Sequence, residues 1–362
     1  RYTVGLSGRY DDIDRKLVQW CNEPWGGLSK GDAYILDLSS KDKVIGLFAE
    51  YTYTQGEKLS IVAGLRADYS SRFGWQFAPR ANVKYSFTEN TILRLNAGRG
   101  FRNPNPIVDN LGVLSSSRLV NIDMEALDVE DAWSFGGNFT QYFRIGEKKT
   151  NYISFDYFRT SFNSQLVFDW NSGWKGNSAT GTVNIYNFKN VGEANNRSFT
   201  DTYQVDLSVE PFERFTAIAT FRYNNAKVTM KDQGLVTNPL VGKYKGVLNL
   251  QYATRMNKWT FDFTAQLNGP SELPQFMSKL DDPIYKGITE SEIYPMLYFQ
   301  ITKKFRLLDV YAGVENITNY KQENPIINAQ NPYSSQFNAA MVWGPLMGRM
   351  FYVGMRLTLW KK

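Results

Sequence analysis

Apolar and polar residues alternate strictly over ten or more positions in this chain, and the pattern recurs along its length. In Trp259-Thr260-Phe261-Asp262-Phe263-Thr264-Ala265-Gln266-Leu267-Asn268 every odd position is apolar and every even position polar. Successive side chains of a strand point to opposite faces, so such a segment has one greasy and one polar side. A helix would instead return its apolar residues every three or four positions. The same alternation runs through Leu59–Tyr69, Arg80–Phe87, Tyr203–Val209, Phe215–Arg222 and Phe351–Leu359. About fourteen such segments can be counted, most of about ten to fifteen residues, whereas strands of ordinary globular domains average about five or six. Strands tilted across a bilayer need about nine to eleven residues, so these are long enough to span one.

Composition agrees with a spanning sheet. Mean hydropathy is −0.40 over 362 residues, and no stretch approaches the roughly eighteen apolar residues of a membrane helix. Yet aromatic residues make up 15% of the chain, with 24 Phe and 22 Tyr. A membrane barrel reconciles the two, because its lumen-facing half keeps the average polar. Aromatics near strand ends, namely Tyr51, Tyr53, Tyr69, Phe87, Trp133, Tyr142, Trp259, Tyr320 and Trp360, are expected to form interfacial girdles.

Connections between segments fall into two kinds. Short ones are Gln55-Gly56-Glu57, Thr88-Glu89-Asn90, Gly146-Glu147-Lys148, Pro211-Phe212-Glu213 and Arg255-Met256-Asn257; long ones run over 11–41, 101–130, 170–198, 231–242, 270–292 and 319–345. The two kinds alternate, as short periplasmic turns and long external loops do in outer-membrane barrels. Ser71-Arg72-Phe73-Gly74 breaks the rule, being tight where a long loop is due. Lipid cannot satisfy an open strand edge, so the expected fold is a closed, all-β, antiparallel transmembrane barrel. Fourteen strands could close alone, but Arg1 falls inside a strand with no leader before it, which points to further strands upstream.

The residues exclude several chemistries. There is no histidine, which removes the commonest general base and metal ligand. The lone Cys21 has no partner within the chain for a disulfide and reads as a loop residue. Net charge is +6, but Lys and Arg are scattered among Asp and Glu, a mixed surface rather than a nucleic-acid face. The carboxylate pairs Asp11-Asp12 and Asp281-Asp282 read as solvated loop charge, and Met341, Met347, Met350 and Met355 read as packing and lipid contacts rather than a Cu(I) site. No catalytic residue, metal site or cofactor is expected.

Three stretches carry a more specific signal. Asn96-Ala97-Gly98-Arg99-Gly100-Phe101-Arg102-Asn103-Pro104-Asn105, Gly313-Val314-Glu315-Asn316-Ile317-Thr318-Asn319-Tyr320 and Trp343-Gly344-Pro345-Leu346-Met347-Gly348-Arg349-Met350-Phe351-Tyr352-Val353-Gly354 resemble, in this order, barrel motifs of TonB-dependent outer-membrane receptors of the Bacteroidetes type. The resemblance covers the whole chain. It implies that residues 1–362 are the C-terminal portion of a single 22-stranded barrel, with the plug domain and first strands upstream. It implies active import of a scarce nutrient (an iron–siderophore, cobalamin or a similar chelate) in the bacterial outer membrane, energised by the TonB–ExbB–ExbD complex acting on the plug. Lipopolysaccharide, the transported ligand and, as a candidate, a surface lipoprotein are the other implied partners. The TonB-contacting residues lie outside the chain on this reading, and the final Leu359-Trp360-Lys361-Lys362 departs from the aromatic ending usual in such barrels.

Within that frame Arg80, Arg94, Arg99, Arg102, Glu315 and Arg356 are expected to face the lumen and a plug. Trp170, Trp174, Asn187, Tyr333 and Trp343 are the candidate ligand contacts, because aromatics with amides can stack on and hydrogen-bond a large ligand. A passive porin, a secretion or adhesin barrel and an outer-membrane enzyme are the alternatives, the last disfavoured by the missing histidine.

Overall fold

The structure is a computed structural model. It describes residues 1–21, 24, 28–122, 127–146, 148–171, 183–189, 197–231, 233–280, 282–334 and 336–359, with backbone alone at 148–150 and 183–189. The strands in chain order are β1 (Tyr2–Ile13), β2 (Lys16–Trp20), β3 (Ala33–Asp37), β4 (Ser40–Gln55), β5 (Leu59–Ser70), β6 (Gly74–Thr88), β7 (Thr91–Arg102), β8 (Val120–Ile122), β9 (Glu130–Ile145) and β10 (Lys148–Asp169). They continue as β11 (Val183–Lys189), β12 (Phe199–Phe212), β13 (Phe215–Met230), β14 (Gly234–Thr237), β15 (Tyr244–Ala253), β16 (Trp259–Asn268), β17 (Tyr294–Lys304), β18 (Leu308–Glu315) and β19 (Met350–Leu357).

Fourteen of these form one antiparallel meander in the order β1, β4, β5, β6, β7, β9, β10, β12, β13, β15, β16, β17, β18, β19. Among the described residues the sheet is open between β19 and β1. The five short strands lie in the long connections. β2 and β3 make a hairpin, β11 and β14 extend the ends of β10 and β13, and β8 pairs in parallel with β11. Among the described residues no helix is long and apolar enough to cross a membrane.

Register keeps the two faces distinct through the middle of the strands. Leu250, Phe263 and Phe299 lie opposite one another on β15, β16 and β17, and so do Gln251, Asp262 and Gln300 one step away. The apolar face is exposed: Leu47 is 53% accessible, Leu65 52% and Phe155 48%. A continuous apolar sheet face of this extent is too large for water and fits hydrocarbon.

On the polar face, large aromatics lie over glycines of the neighbouring strand. Phe158 covers Gly136, and a Cβ at Gly136 would overlap both that ring and the Tyr157 carbonyl oxygen. Tyr352 covers Gly313 and Tyr311 covers Gly354 in the same way. Ring-on-glycine pairing fills the missing side-chain volume and pins register. Gly136→Ala is expected to destabilise the folded sheet by roughly 1–3 kcal/mol through overpacking, read as a lower urea midpoint in heat-modifiability gels.

The tight turn between β5 and β6 is held by a carboxylate. Asp42 is 6% exposed and accepts from Ser70 Oγ at 2.7 Å, Asn103 Nδ2 at 3.0 Å and Ser71 Oγ at 3.3 Å. The Ser70 hydroxyl in turn accepts the Phe73 amide, and Gly74 takes φ +71°. A short turn can stand where a long loop is due because these bonds satisfy its polar groups. Asp42→Ala removes bonds to a charged acceptor, so local opening at residues 71–73 is expected to become about 1.5–3 kcal/mol easier, measured by amide hydrogen exchange.

The aromatic expectation holds in part. Tyr51, Tyr53, Tyr69, Phe87, Trp133 and Trp259 are exposed. Tyr142 instead shares the polar face with Tyr152, their rings 5.9 Å apart, because it is one position out of phase with Phe139 and Phe143. Tyr320 lies in a loop and stacks on Tyr294 at 4.9 Å. Trp360 lies outside the described residues.

Candidate functional site

The long connections emerge at one end of the sheet and share an apolar core of their own. Leu36 and Leu38 from the first loop, Val113 and Val120 from the second, Trp170, Phe276 and Met277, and Ile327 and Met341 from the last are all buried together. Val113 and Met341 are 1% exposed. Most of the deeply buried side chains therefore lie in this loop cap, not in the sheet, whose apolar face looks outward.

Two of the sequence motifs meet at the base of the cap. Asn316, 2% exposed and at φ +50°, ends β18. Its Nδ2 donates to the Tyr320 carbonyl at 2.7 Å and the Met347 carbonyl at 3.1 Å, while its Oδ1 accepts from the Tyr320 amide and the Thr318 hydroxyl. Asn319, at φ +57°, accepts the Arg349 amide at 2.9 Å, and the Arg349 guanidinium donates back to the Ile317 carbonyl. Asparagine tolerates the left-handed region better than other side chains and satisfies local backbone groups. Gly348 is required because a Cβ there would strike Asn319 Oδ1. Higher up, the Gln322 amide donates to the Met341 carbonyl and accepts from the backbone of Trp343 and Gly344.

A small cavity of about 140 Å³ opens in this region, with Met277, Tyr285, Met341 and Trp343 in its wall and Glu290, Glu292 and Glu323 at its edge. Tyr285 donates to the carbonyls of Asn324 and Ile326 at 3.0 and 3.1 Å, and burial raises its phenol above the usual tyrosine range. Tyr320 donates to Glu292 at 2.7 Å; burial first, then that carboxylate, pushes its phenol up strongly. Glu290 is paired with Lys243 at 2.5 Å.

The cap also encloses a cation that sequence reasoning missed. Arg118 is 5% exposed, donates Nη1 to the Trp170 carbonyl at 2.5 Å, and stands 5.2 Å over the Phe276 ring. Burial pushes its guanidinium down to about 10, partly opposed by Asp169. Its sequence signal is weak, a single arginine beside Leu119 and Val120 in a stretch that reads only as loop.

Of the candidate ligand contacts, Trp170 is 9% exposed and packs between Phe168 and Phe276, so it is a wall of the cap. Trp343 lies beside Tyr294, the rings tilted by 45° with centroids 6.0 Å apart, and lines the cavity. Tyr333 is 91% exposed at a loop tip. Asn187 is described by its backbone alone, paired with Leu166, and Trp174 lies outside the described residues.

Of the charged candidates, Arg80, Arg94, Arg102, Glu315 and Arg356 stand on the polar face. Arg80 pairs with Glu50 at 2.5 Å, Arg94 donates to Asn138 at 3.0 Å, and Arg102 pairs with Glu130. Arg99 departs from expectation. One position out of phase with Arg94 and Arg102, it lies on the apolar face opposite Trp133, paired with Asp131 at 2.7 Å and stacked on Phe101 at 4.8 Å. The four methionines do not converge either, since Met341 is buried in the cap and Met355 is 76% exposed on the apolar face.

Fourteen antiparallel strands, most of them of spanning length, an exposed apolar face, a charged opposite face, short turns at one end and packed loops at the other define the wall of a transmembrane β-barrel. Residues 1–317 match the family described as TonB dependent receptor-like, beta-barrel. The chain belongs to that family, an outer-membrane one. No curated protein matches by sequence. Among solved structures, a copper transporter, OprC, is similar with TM-score 0.65 and 13% identity over 99% of this chain and 54% of that one. A variant of the ferric enterobactin receptor PfeA from Pseudomonas aeruginosa, bound to enterobactin, gives TM-score 0.63 and 16% identity over 98% and 51%. The siderophore receptor PirA from Acinetobacter baumannii gives 0.61 and 13% over 98% and 52%. The chain thus spans about half the length of each, and at these identities the likeness is one of fold.

Proposed function

We propose that this chain is the C-terminal portion of a 22-stranded receptor barrel that imports a scarce nutrient, an iron–siderophore, cobalamin or similar chelate, by a TonB-dependent route. The observation that carries this reading is the family match over residues 1–317. Its support is the open meander, whose two edge strands β1 and β19 are each paired on one side only among the described residues. An open edge cannot stand in lipid, so the remaining wall comes from further strands. On this reading a plug domain occupies the barrel and meets the charged face bearing Arg80, Arg94 and Glu315. TonB–ExbB–ExbD acts on that plug from the periplasm. The loop cap with Trp343 and Tyr333 meets the cargo, and a surface lipoprotein is a further candidate partner.

The test is uptake of labelled ferric siderophores, cobalamin and a copper chelate by cells with and without the gene, each with and without an uncoupler of the proton-motive force. Gene-dependent uptake of one chelate that stops with the uncoupler is the expected result. Gene-dependent entry of small solutes that ignores the uncoupler would make the protein a passive pore and overturn the reading.

A further inference from the structure

The loops after β16 and β18 enclose a void that their own side chains leave unfilled. It measures about 140 Å³, with Met277, Tyr285, Met341 and Trp343 in its wall. Met277 and Met341 are 3% and 1% exposed and belong to the buried core of the cap. Tyr285 is pinned by its bonds to the carbonyls of Asn324 and Ile326, and Tyr294 donates to the Trp343 carbonyl at 3.2 Å. The wall is therefore preformed. A void of this size is several times what one water needs. It is smaller than the roughly 300 Å³ at which pockets for whole small molecules begin. It suits a short chain or a single ring.

The lip of the void carries charge of one sign. Glu290, Glu292 and Glu323 line its edge, and among the described residues no lysine or arginine lines the cavity. Lys243 neutralises Glu290 from outside at 2.5 Å. Glu292 accepts from the Tyr320 hydroxyl at 2.7 Å, a neutral donor that leaves its charge in place. Among the described residues, Glu292 and Glu323 have no cationic partner. The Tyr320 phenol registers their field: burial raises it first, and both carboxylates push it in the same direction. Burial also leads for Tyr285, with the charge of Asp282 adding to it. Like charges set together repel one another, and a cation placed beside them turns that repulsion into attraction.

We propose that this cavity is a site for an organic cation, a primary ammonium or guanidinium group on a small apolar body. The body enters the void against Met277, Met341 and the rings of Tyr285 and Trp343. The cationic head stays at the lip beside Glu292 and Glu323, where the aromatic wall adds cation–π attraction. An uncharged body of the same shape gains the apolar contact alone, and an anion meets the two carboxylates. The head can belong to a free amine or to the basic arm of a larger cargo, since the void takes a group and not a whole chelate. The second source rests on the import reading, and it disfavours polyanionic iron catecholates as cargo.

The test is fluorine NMR of the full receptor in detergent with three probes of matched shape: para-fluorophenethylamine, para-fluorophenylethanol and para-fluorophenylacetate. The amine is expected to bind at least tenfold more tightly than the alcohol, and the acid more weakly than either. Added salt should shrink the difference, because the carboxylates are exposed. Glu323→Gln should weaken amine binding about threefold and E292Q/E323Q more than tenfold, with the alcohol unchanged. Glutamine at 292 keeps an acceptor for Tyr320. Equal binding of amine and alcohol overturns the proposal. So does an amine affinity that ignores E292Q/E323Q, which places the cation elsewhere. A chelate that uptake identifies as cargo separates the two sources: displacement of the amine makes the cation its arm, and joint binding makes it a free amine. The cation site stands on either result. The probe comparison needs no uptake and uses unaltered protein, so neither loss of the import reading nor a misfolded variant can mask the answer.

Discussion

Asn316→Ala is expected to destabilise the base of the loop cap by about 5 kcal/mol while leaving the sheet intact. The substitution removes an amide whose two ends make four hydrogen bonds, to the carbonyls of Tyr320 and Met347, the Tyr320 amide and the Thr318 hydroxyl. At 2% exposure water cannot replace them, and each net bond contributes about 1 kcal/mol. The new alanine must also hold φ +50°, which costs a further ~1 kcal/mol for a residue with a Cβ and no compensating side-chain bond. Asn316→Gly separates the two causes, because glycine takes that φ freely and loses only the hydrogen bonds. Asn316→Asp keeps the acceptor and loses the donor, so it should fall between. Amide exchange at residues 317–322 and 346–349 reads the effect. Equal protection in all three variants would mean that the turn is held by the surrounding packing instead.

That hub is partly legible in the sequence. The stretch Gly313–Tyr320 stands out as a motif, but nothing in it says that Asn316 reaches across to Met347 or that Asn319 receives Arg349. Those contacts join residues about thirty positions apart, and side-chain periodicity carries no information at that distance. The sheet is the opposite case. Alternation is a local property, so strand count, the apolar face and the ends carrying short turns all follow from it. Applied loosely, alternation misleads. Arg99 sits in a motif beside Arg102, yet strand geometry sends neighbours of odd separation to opposite faces. Tyr142 reads as a girdle residue by its nearness to a strand end, but its phase with Phe139 decides otherwise. The cap is least legible, because loops that pack on one another follow no period. Trp170 looks the same in sequence whether it stacks on a ligand or on Phe276.

Arg118→Met is expected to loosen the cap by about 3–5 kcal/mol, the range found when one partner is removed from a buried charged arrangement. Arg118 joins connections distant in sequence, since its guanidinium meets the Trp170 carbonyl and the Phe276 ring and interacts with Asp169. Methionine preserves volume and apolar contact with Phe276. It supplies no donor to the Trp170 carbonyl and no countercharge to Asp169, which is 9% exposed. Restoring a neutral site should therefore recover part of the loss, so R118M combined with Asp169→Asn is expected to be more stable than R118M alone. Limited proteolysis of the long loops, followed beside a heat-modifiability gel for the sheet, gives both readings at once. The expected outcome is faster loop cleavage with an unchanged gel shift. If the sheet and the loops instead melt together, the cap is part of the same cooperative unit as the wall. A cargo bound among the loops would then stabilise the whole barrel rather than the cap alone.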